Sequence, residues 1–342
     1  MEPAAHTHTA NPWRLSVAPM LDWTDKHCRY LHRLLTQRTR LYTEMVTTGA
    51  LMHGAHRRHL RMDACEHPVA LQLGGSDAHE LAHCARVGQA WGYDEINLNC
   101  GCPSDRVQRG AFGACLMASP RLVADGVKAM VDAVAGAVPV TVKHRIGIDR
   151  EESYAFVRDF VGAVAEAGCR VFIVHARNAW LQGLSPKENR EVPPLRYGVV
   201  YQLKRDFPHL TICLNGGVTS AAQITEHLRH VDGVMLGREA YHHPWQMSAW
   251  DADFLGGAPC PLSRDEVEEK MVAYMQAEAL EDGTPWSAIA RHMLGLRHGQ
   301  RGARAWRQVW SDHRLKPLPP AEVWRLAHER MAAAASVAVA GD

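Results

Sequence analysis

Two cysteines and two asparagines lie close together in residues 95–104, Glu-Ile-Asn-Leu-Asn-Cys-Gly-Cys-Pro-Ser. Apolar and polar residues alternate in the first half of this segment, which is typical of a short strand. Gly101 and Pro103 then end the strand. The thiols of Cys100 and Cys102 therefore stand where a strand opens into a loop, and there a thiol can give a proton to a ligand or take one from it.

Short apolar segments recur along the first 238 residues and predict eight strands, most of them rich in β-branched residues, as strands buried on both faces should be. Helical patterns lie between most of them. Eight such units over about 235 residues fit an α/β fold, the TIM (β/α)8 barrel. The rival is a doubly wound open sheet, and the weakest unit is the second, where residues 47–59 show little helical periodicity. The predicted strands are 15–18, 41–46, 69–73, 96–99, 140–143, 171–175, 211–214 and 233–236.

Barrel enzymes place their chemistry at the carboxyl ends of the strands, and phosphate sites there use the loops after strands seven and eight. In this chain those two loops contain Gly216-Gly217 and Gly237-Arg238. Glycines leave backbone N–H groups accessible, and an arginine can bind phosphate with two hydrogen bonds. The alternative is that the glycines only make turns. The other chemistry-bearing strand ends are Ala18-Pro19-Met20, Gln72, Asn99 with Cys102, Lys143 and His175.

Lys143 and His175 each allow more than one interpretation. Lys143 ends an apolar strand and could face a negatively charged ring or phosphate, form a Schiff base, or make a salt bridge at the barrel mouth. His175 could contact a ligand or could simply pack at a strand end. The spacing of the His, Cys and Asp residues matches no zinc site, so we expect no metal.

The remaining composition is that of a soluble globular protein. The nine cysteines form no CxxC pair, and residues 1–12 resemble a disordered leader and not a signal peptide. No apolar run approaches the roughly 20 residues that a membrane span needs. We therefore expect a cytoplasmic protein with reduced thiols and no membrane partner, and we expect a monomer.

The pattern changes after residue 253, where helical periodicity replaces strands. We predict a barrel domain over residues 13–254 and a small helical domain over 262–335. The chain as a whole carries a net charge of +1, but residues 285–330 contain nine Lys and Arg against three acidic residues, with four tryptophans among them. Basic residues with interleaved aromatics are typical of a nucleic-acid interface. A solvated basic helix face over a tryptophan-filled core explains the same pattern.

Taken together, these motifs resemble the tRNA-dihydrouridine synthases, and within them the A subfamily. The resemblance covers roughly residues 14–315, and Asn-Cys-Gly-Cys-Pro at 99–103 is its most specific part. Arg301 departs from the family pattern, where an uncharged residue is expected, and this leaves open which of three nearby arginines touches RNA. The matching segments are 18–25, 41–49, 70–75, 97–104, 142–147, 174–177, 187–190, 214–217, 236–238, 291–296 and 302–307.

The resemblance implies an enzyme that uses FMN and NADPH to reduce a uridine of tRNA to 5,6-dihydrouridine, at positions 20 and 20a of the D-loop. It implies that Cys102 is the proton donor to uracil C5. The residues that it assigns to the flavin are Ala18, Pro19, Met20, Gln72, Lys143 and His175, with Asn215, Gly216, Gly217, Gly237 and Arg238 at the phosphate. The residues that it assigns to tRNA are Asn99, Lys187, Arg190, Arg304 and Arg307.

Three competing functions stay open at this point. A flavin barrel that reduces a small pyrimidine or an enone, similar to dihydroorotate dehydrogenase, needs the same phosphate site but no basic helical tail. An RNA-binding protein on a degenerate barrel needs the tail but no flavin. An aldolase that uses Lys143 as a Schiff base is the most distant alternative.

Overall fold

Eight parallel strands form the core of the first part of the chain. The computed structural model describes residues 11–104 and 112–339, so part of the predicted leader and the segment after Ser104 lie outside the described residues. The strands are β1 (Leu15–Val17), β2 (Leu41–Thr47), β3 (Val69–Gly74), β4 (Glu95–Cys100), β5 (Val140–Arg145), β6 (Val171–His175), β7 (Thr211–Asn215) and β8 (Gly233–Leu236). Their spatial order is β1-β8-β7-β6-β5-β4-β3-β2.

The sheet closes on itself between its first and last members in that order. Ser16 of β1 bridges Arg40, the residue just before β2, and the backbone N–H of Val17 donates to the Arg40 carbonyl at 2.9 Å. An open doubly wound sheet would leave both edges unpaired, so this closure excludes it. The predicted TIM barrel is confirmed.

The observed strands β4 and β5 extend beyond the predicted ones at their carboxyl ends. The prediction stopped where polar residues began, but Cys100 pairs with His144 and Arg145 pairs with His175 in register. Polar residues at these ends belong to the ladder because they face the mouth of the barrel or the helical layer, and backbone pairing does not depend on side-chain polarity. Consequently β5 carries its cations on ordered strand and not on a loop.

Helices follow most of the strands of the barrel, as predicted. Asp77 caps the helix after β3, since its side chain accepts from the Glu80 backbone N–H. The weakly periodic second unit holds two short helices instead of one. The helices of this part are Thr48–His53, His56–Leu60, Ala78–Ala90, Pro120–Val134, Tyr154–Glu166, Tyr197–Asp206 and Ala221–His227, with 3-10 turns at Ala64–Glu66, Gly113–Ala118 and Glu188–Arg190.

Two compact units divide the chain, with bounds that differ from the predicted domains. The first comprises residues up to 24, 38–237 and 254–256, and it contains all eight strands. The second comprises 25–37, 238–253 and 257 onwards, so two segments that the sequence assigns to the barrel group with the carboxyl-terminal helices. The helix after β1, Lys26–Leu35, is one of them.

The regular elements of the second unit are all helical within its described residues, as predicted. Ser263 and Glu266 form a capping box at the start of the helix Arg264–Asp282. The helix that begins at Trp286 ends at Ala290, and turns follow it from Arg291 to Gly302. The other helices of this unit are Arg238–His242, Trp250–Phe254 (apart from its last residue), Trp286–Ala290, Ala303–Trp310 and Pro320–Val339, with 3-10 turns at Pro244–Ala249 and His313–Leu315. No helix among residues 11–104 and 112–339 is long and apolar enough to cross a membrane.

Candidate active site at the barrel mouth

The turn that carries Cys102 is held by a side chain of the strand before it. The Oδ1 atom of Asn99 accepts hydrogen bonds from the backbone N–H groups of Gly101 and Cys102, both at 3.0 Å. Arg145 binds the same turn from β5, since its Nε donates to the Gly101 carbonyl at 3.2 Å. The Cys102 side chain is half-buried and lies 3.5 Å from the Ser104 hydroxyl. These bonds fix the backbone under the Cys102 thiol.

Cys100 and Cys102 differ in their surroundings. Cys100 is fully buried, and burial raises the pKa of its thiol far above the usual range. A thiol in that position is inert as a nucleophile or thiolate, whereas Cys102 reaches the surface of the mouth. The structure thus agrees with a packing role for the first cysteine and leaves the second accessible to a substrate.

Gln72 lies beside this turn at the end of β3. It is buried, and its Oε1 accepts from Asn99 Nδ2 at 2.9 Å while its Nε2 donates to Asn97 at 2.8 Å. Two predicted site residues, Gln72 and Asn99, are therefore in direct contact. After these bonds each carboxamide has one further amide hydrogen for which residues 11–104 and 112–339 provide no acceptor.

Positive charge gathers around the ends of β5 and β6. Burial, together with the charge of the neighbouring Arg145, lowers the pKa of Lys143 to about 7. Burial likewise lowers the pKa of His175 well below its usual range, and Arg145 and Lys143 contribute to that shift, as do Arg177 and Arg190. Each positive charge in this group disfavours protonation of its neighbours. An anionic ligand bound among them would favour the protonated form of each.

A glycine pair follows β7 next to these cations. Asn215 is buried, accepts from Lys143 Nζ at 3.2 Å and donates to the Met235 carbonyl at 2.8 Å. Gly216 and Gly217 adopt φ angles of 116° and 72°, which favour glycine. A Cβ atom on Gly216 would lie 2.8 Å from the His175 ring, so only glycine allows the backbone to approach that histidine so closely.

The loop after β1 lies near Gly237. A Cβ atom built on Gly237 would stand 3.6 Å from Ala18 and 3.6 Å from the Met20 sulfur, which is ordinary van der Waals contact. Pro19 and Met20 are partly exposed at the mouth. Arg238 follows Gly237 directly in the chain and begins the helix Arg238–His242 of the second unit.

Lys187 precedes and Arg190 ends a short 3-10 turn in the long loop after β6, and both are exposed. Between them Asn189 is fully buried, and its amide donates to three backbone carbonyls, those of Trp180, Leu184 and Ser185. Its Oδ1 accepts from the Trp180 N–H at 2.7 Å. The buried asparagine gives the loop a fixed shape, and the two cations project from it.

In the second unit the tryptophan rings pack together, whereas two of the arginines lie on the surface. Trp306 and Trp310 are buried, and Trp286 packs edge-on against Trp310 with ring centres 5.7 Å apart. These rings therefore build the core, as the alternative interpretation of the basic stretch has it. Arg304 and Arg307 are exposed on the helix Ala303–Trp310, and within the described ranges neither makes an ion pair with a carboxylate.

A cavity of about 670 Å³ opens in the second unit beside Arg307. Its lining is strongly cationic or ionisable, with Arg291, Arg297, Arg307, His242, His243, His298 and Tyr241. Arg297 is committed to carboxylates, since it binds Glu268 and Asp265. The ligand atoms of Asp265, Glu268 and His328 lie close enough together to hold a metal ion. The Arg297 guanidinium, however, already pairs with both of these carboxylates.

Sequence reasoning gave no role to Arg145, Glu95 or Thr141, which the structure places in the network behind the site. Arg145 lies beyond the predicted end of the fifth strand, yet its side chain holds the Cys102 turn. Glu95 is a fully buried carboxylate inside the barrel. Polar residues at alternate positions of a strand that should be buried on both faces were the available signal, because such residues must point into the barrel and find partners there.

A closed parallel barrel whose mouth gathers an accessible thiol, cationic side chains and a glycine pair has the arrangement of a TIM-barrel enzyme. The model of the dihydrouridine synthase family matches residues 16–324. The chain is 56% identical over 317 residues to the tRNA-dihydrouridine(20/20a) synthase of Salmonella typhimurium, covering 92% of this chain and 94% of the relative. It is 57% identical over 319 residues to the protein of the same name from Pseudomonas aeruginosa, covering 93% and 95%.

A third relative, tRNA-dihydrouridine(20/20a) synthase from Escherichia coli, is 57% identical over 314 residues, which are 91% of this chain and 94% of the relative. The chain therefore belongs to the dihydrouridine synthase family, a family of flavin-dependent oxidoreductases. The family that the motifs resembled is confirmed.

Proposed function

We propose that this enzyme reduces uridines 20 and 20a of tRNA to 5,6-dihydrouridine, with FMN as its flavin and NADPH as reductant. The names of its relatives support the substrate. The observation that carries the proposal is the meeting of the Cys102 turn with the cations Lys143 and Arg145 at one barrel mouth. A proton donor and an anion-binding surface are what this reaction requires.

The residues at the mouth fit a flavin mononucleotide. Lys143 and His175 are ionisable groups whose pKa values are lowered by burial and by neighbouring positive charges, among them Arg145, so an anionic group would favour their protonation. The Gly216 backbone packs closely against the His175 ring, where a Cβ atom would lie only 2.8 Å from the ring. We assign the ring and ribityl chain to Ala18, Pro19, Met20, Gln72, Lys143 and His175, and the phosphate to Asn215, Gly216, Gly217, Gly237 and Arg238.

The chemistry of uracil explains why the thiol is needed. The C5=C6 bond is conjugated to the C4 carbonyl, so addition of a hydride at C6 requires a proton at C5. When bound, FMN reduced by NADPH supplies that hydride. The Cys102 Sγ–H donates the proton to C5 and recovers one from solvent, and Asn99 and Arg145 hold the turn so that the thiol stays in place.

We propose that Lys143 also stabilises negative charge on the cofactor. It lies on β5 with its Nζ 3.2 Å from Asn215, in a buried setting where an ammonium interacts strongly with an anion. We propose that Asn99 has two duties, because one of its amide hydrogens remains available to the substrate after it has bound Gln72 and the Cys102 turn.

The tRNA itself would be bound through its backbone and shape. Lys187 and Arg190 on the barrel, and Arg304 and Arg307 on the helical unit, are exposed cations and support this part of the proposal. The cavity beside Arg307 offers further N–H donors to phosphate from Arg291 and His298. We propose that the enzyme is a monomer that needs no metal. We also propose that it acts in the cytoplasm, where its tRNA substrate is found.

The decisive experiment measures dihydrouridine by mass spectrometry after the purified protein acts on a tRNA transcript with FMN and NADPH. We expect modification of a transcript with uridine at 20 and 20a and none of the same transcript with cytidine at both. Free uridine serves as a second substrate. Reduction of free uridine at a rate equal to tRNA would favour the small-pyrimidine reductase, and absence of a flavin spectrum would favour a non-catalytic RNA-binding protein.

A further inference from the structure

A buried carboxylate lies inside the barrel, well below its mouth. Glu95, at the start of β4, is fully buried. Its Oε1 accepts from the Tyr42 hydroxyl at 2.7 Å and from the Thr141 hydroxyl at 2.5 Å. Its Oε2 accepts from Trp13 Nε1 at 2.7 Å and lies 3.2 Å from Arg40 Nη1. A buried charge is costly unless it is paired and hydrogen-bonded, and here both conditions are met.

An unbroken series of hydrogen bonds runs from this carboxylate to the Cys102 turn. Asn97 Nδ2 donates to the Thr141 hydroxyl oxygen at 2.7 Å. Gln72 Nε2 donates to Asn97 Oδ1 at 2.8 Å, and Asn99 Nδ2 donates to Gln72 Oε1 at 2.9 Å. Asn99 Oδ1 then accepts from the Cys102 backbone N–H. We call Thr141, Asn97, Gln72 and Asn99 the amide relay.

The Glu95 carboxylate, which Arg40 faces at 3.2 Å, sets the direction of the bonds in the amide relay from one end, and the backbone N–H groups of Gly101 and Cys102 set the same direction from the other. A carboxylate can only accept, so Thr141 donates to Glu95 and its oxygen is left to accept from Asn97. Asn97 must then turn its oxygen toward Gln72. Gln72 in turn presents its oxygen to Asn99, and Asn99 presents its oxygen to the backbone of the turn. A side-chain amide can exchange the positions of its oxygen and its NH2 group by a half-turn. The series of hydrogen bonds selects one of these two orientations for each of Asn97, Gln72 and Asn99.

We propose that Glu95 is a positioning residue for the active site, acting through the amide relay to orient the carboxamides of Gln72 and Asn99. This inference rests on the proposed function for its consequence, since Gln72 is assigned to the flavin and Cys102 to the proton. The orientation of the two carboxamides is a property of this chain alone and can be tested without the flavin. If the relay were reversed, Asn99 would oppose an NH2 group to the N–H groups of Gly101 and Cys102, and the turn would lose its anchor.

The Thr141→Val substitution cuts the relay at its first bond and keeps the shape of the side chain. Thr141→Ser keeps the hydroxyl and should behave as the unmodified protein. Tyr42→Phe is the matched control, because it also removes one donor to Glu95 Oε1 but lies outside the relay. Both Thr141→Val and Tyr42→Phe leave Glu95 with one hydrogen bond fewer, so a purely structural effect is common to the two.

Two measurements on the full chain report the orientation of the relay. One is the rate at which iodoacetamide alkylates Cys102 in the flavin-free protein, followed by peptide mass spectrometry. The other is FMN affinity from quenching of flavin fluorescence. In Thr141→Val we expect alkylation about threefold faster and FMN binding about fivefold weaker, from the loss of the hydrogen bonds that order the turn and Gln72. Thr141→Ser and Tyr42→Phe should stay within about twofold of the unmodified protein.

Equal behaviour of Thr141→Val and Tyr42→Phe in both measurements would overturn the proposal. Should Thr141→Val fail to fold, Thr141→Ala removes the same hydroxyl group from the series, and the same two outcomes decide. If the unmodified protein binds no FMN, the proposed function fails, while the alkylation rates of Cys102 still decide the role of the amide relay.

Discussion

The Oδ1 atom of Asn99 lies 3.0 Å from the backbone nitrogen of Cys102, three residues further along the chain. A strand-end side chain thus determines the conformation of the turn that follows it, in the manner of an Asx turn. The amide of the same side chain is bound to Gln72 on the neighbouring strand. The position of the Cys102 thiol is therefore coupled to two strands of the barrel, and the following predictions start from it.

Replacement of Cys102 by alanine should abolish proton donation and leave the cofactor site intact. We expect FMN binding and flavin reduction by NADPH to be unchanged, and dihydrouridine formation to fall by about a hundredfold or more, the usual contribution of a general acid. Stopped-flow absorbance of the flavin separates the reductive step from the reaction with tRNA. Cys260→Ala, at another partly buried thiol, is the control and should retain full activity. Equal loss in both variants would contradict the assignment.

Binding of FMN should be accompanied by proton uptake. Because burial lowers the pKa of Lys143 to about 7, this group is largely neutral in the flavin-free protein at pH 8. An adjacent anion raises the pKa again, so up to about one proton should be taken up at pH 8. Calorimetric titration in buffers of different ionisation enthalpy measures it. The Lys143→Met variant should bind FMN more weakly and without that uptake, and equal uptake in both would assign the proton to another group.

The same pKa shift has a consequence for stability, with a definite sign. The unfolded chain holds a proton on Lys143 up to about pH 10.4, whereas the folded chain releases it near pH 7. Between these limits the unfolded state binds more protons, so the stability contributed by this group rises with pH. The Tm of the flavin-free protein relative to Lys143→Met should therefore increase from pH 7 to pH 9. A constant difference would show that the lysine does not titrate there.

Gly216 and Gly237 should respond differently to alanine. At Gly216 the φ angle is 116° and a Cβ would lie 2.8 Å from the His175 ring, so we expect Gly216→Ala to lower stability by more than about 1 kcal/mol and to weaken FMN binding. At Gly237 a Cβ meets only ordinary contacts at 3.6 Å, so Gly237→Ala should cost less than about 0.5 kcal/mol. Urea unfolding followed by circular dichroism compares the two, and a similar loss would refute the steric argument.

Arg304 and Arg307 should bind tRNA phosphates through charge. The double Gln variant should bind tRNA more weakly and show a smaller decrease of affinity with salt, by about two counterions in the log–log slope. Reduction of the bound flavin by NADPH should be unaffected. The double variant Lys128→Gln with Arg158→Gln removes the same charge from exposed barrel helices and serves as control. Filter binding from low to high salt measures both, and equal slopes would place the RNA elsewhere.

The contribution of Asp25 to the stability of the fold should depend on pH in the acid range. Burial alone would raise its pKa, but bonds from His292 and the Cys28 backbone lower it well below the usual range. Asp25→Asn retains the cap of the helix Lys26–Leu35 and loses the charge that binds Arg291, so we expect a loss of about 2 kcal/mol at pH 7. A depressed carboxyl pKa stabilises above about pH 4 and ceases to do so as pH falls further. The difference in Tm should thus shrink below pH 4.

A matched cap tests this argument. Asp77 also caps a helix, but its side chain accepts only from the Glu80 backbone N–H. Asparagine caps as well as aspartate, so Asp77→Asn should change Tm little at any pH. A pH-dependent loss of similar size at Asp77 would show that the dipole of the helix, and not the His292 and Arg291 contacts, explains the effect at Asp25.

The barrel could be predicted because its strands are apolar, short and regularly spaced, and because burial on both faces leaves few other architectures. The ends of β4 and β5 were placed too early, since hydropathy falls there although backbone pairing continues. The boundary between the two units could not be predicted. Residues 25–37 lie between two barrel strands in sequence, and their grouping with the carboxyl-terminal helices depends on packing that no local pattern encodes.

By itself the sequence determined that Cys102, Lys143, His175 and the Gly216-Gly217 pair lie at the carboxyl ends of strands, because chain order and strand polarity suffice for that. Only the tertiary structure decided what holds them. The partners of Asn99 and Gln72 come from neighbouring strands, and the carboxylate of Glu95 orients them through Thr141. Hydrogen-bond direction is a property of side chains brought together in space, and the order of residues along the chain contains no record of it.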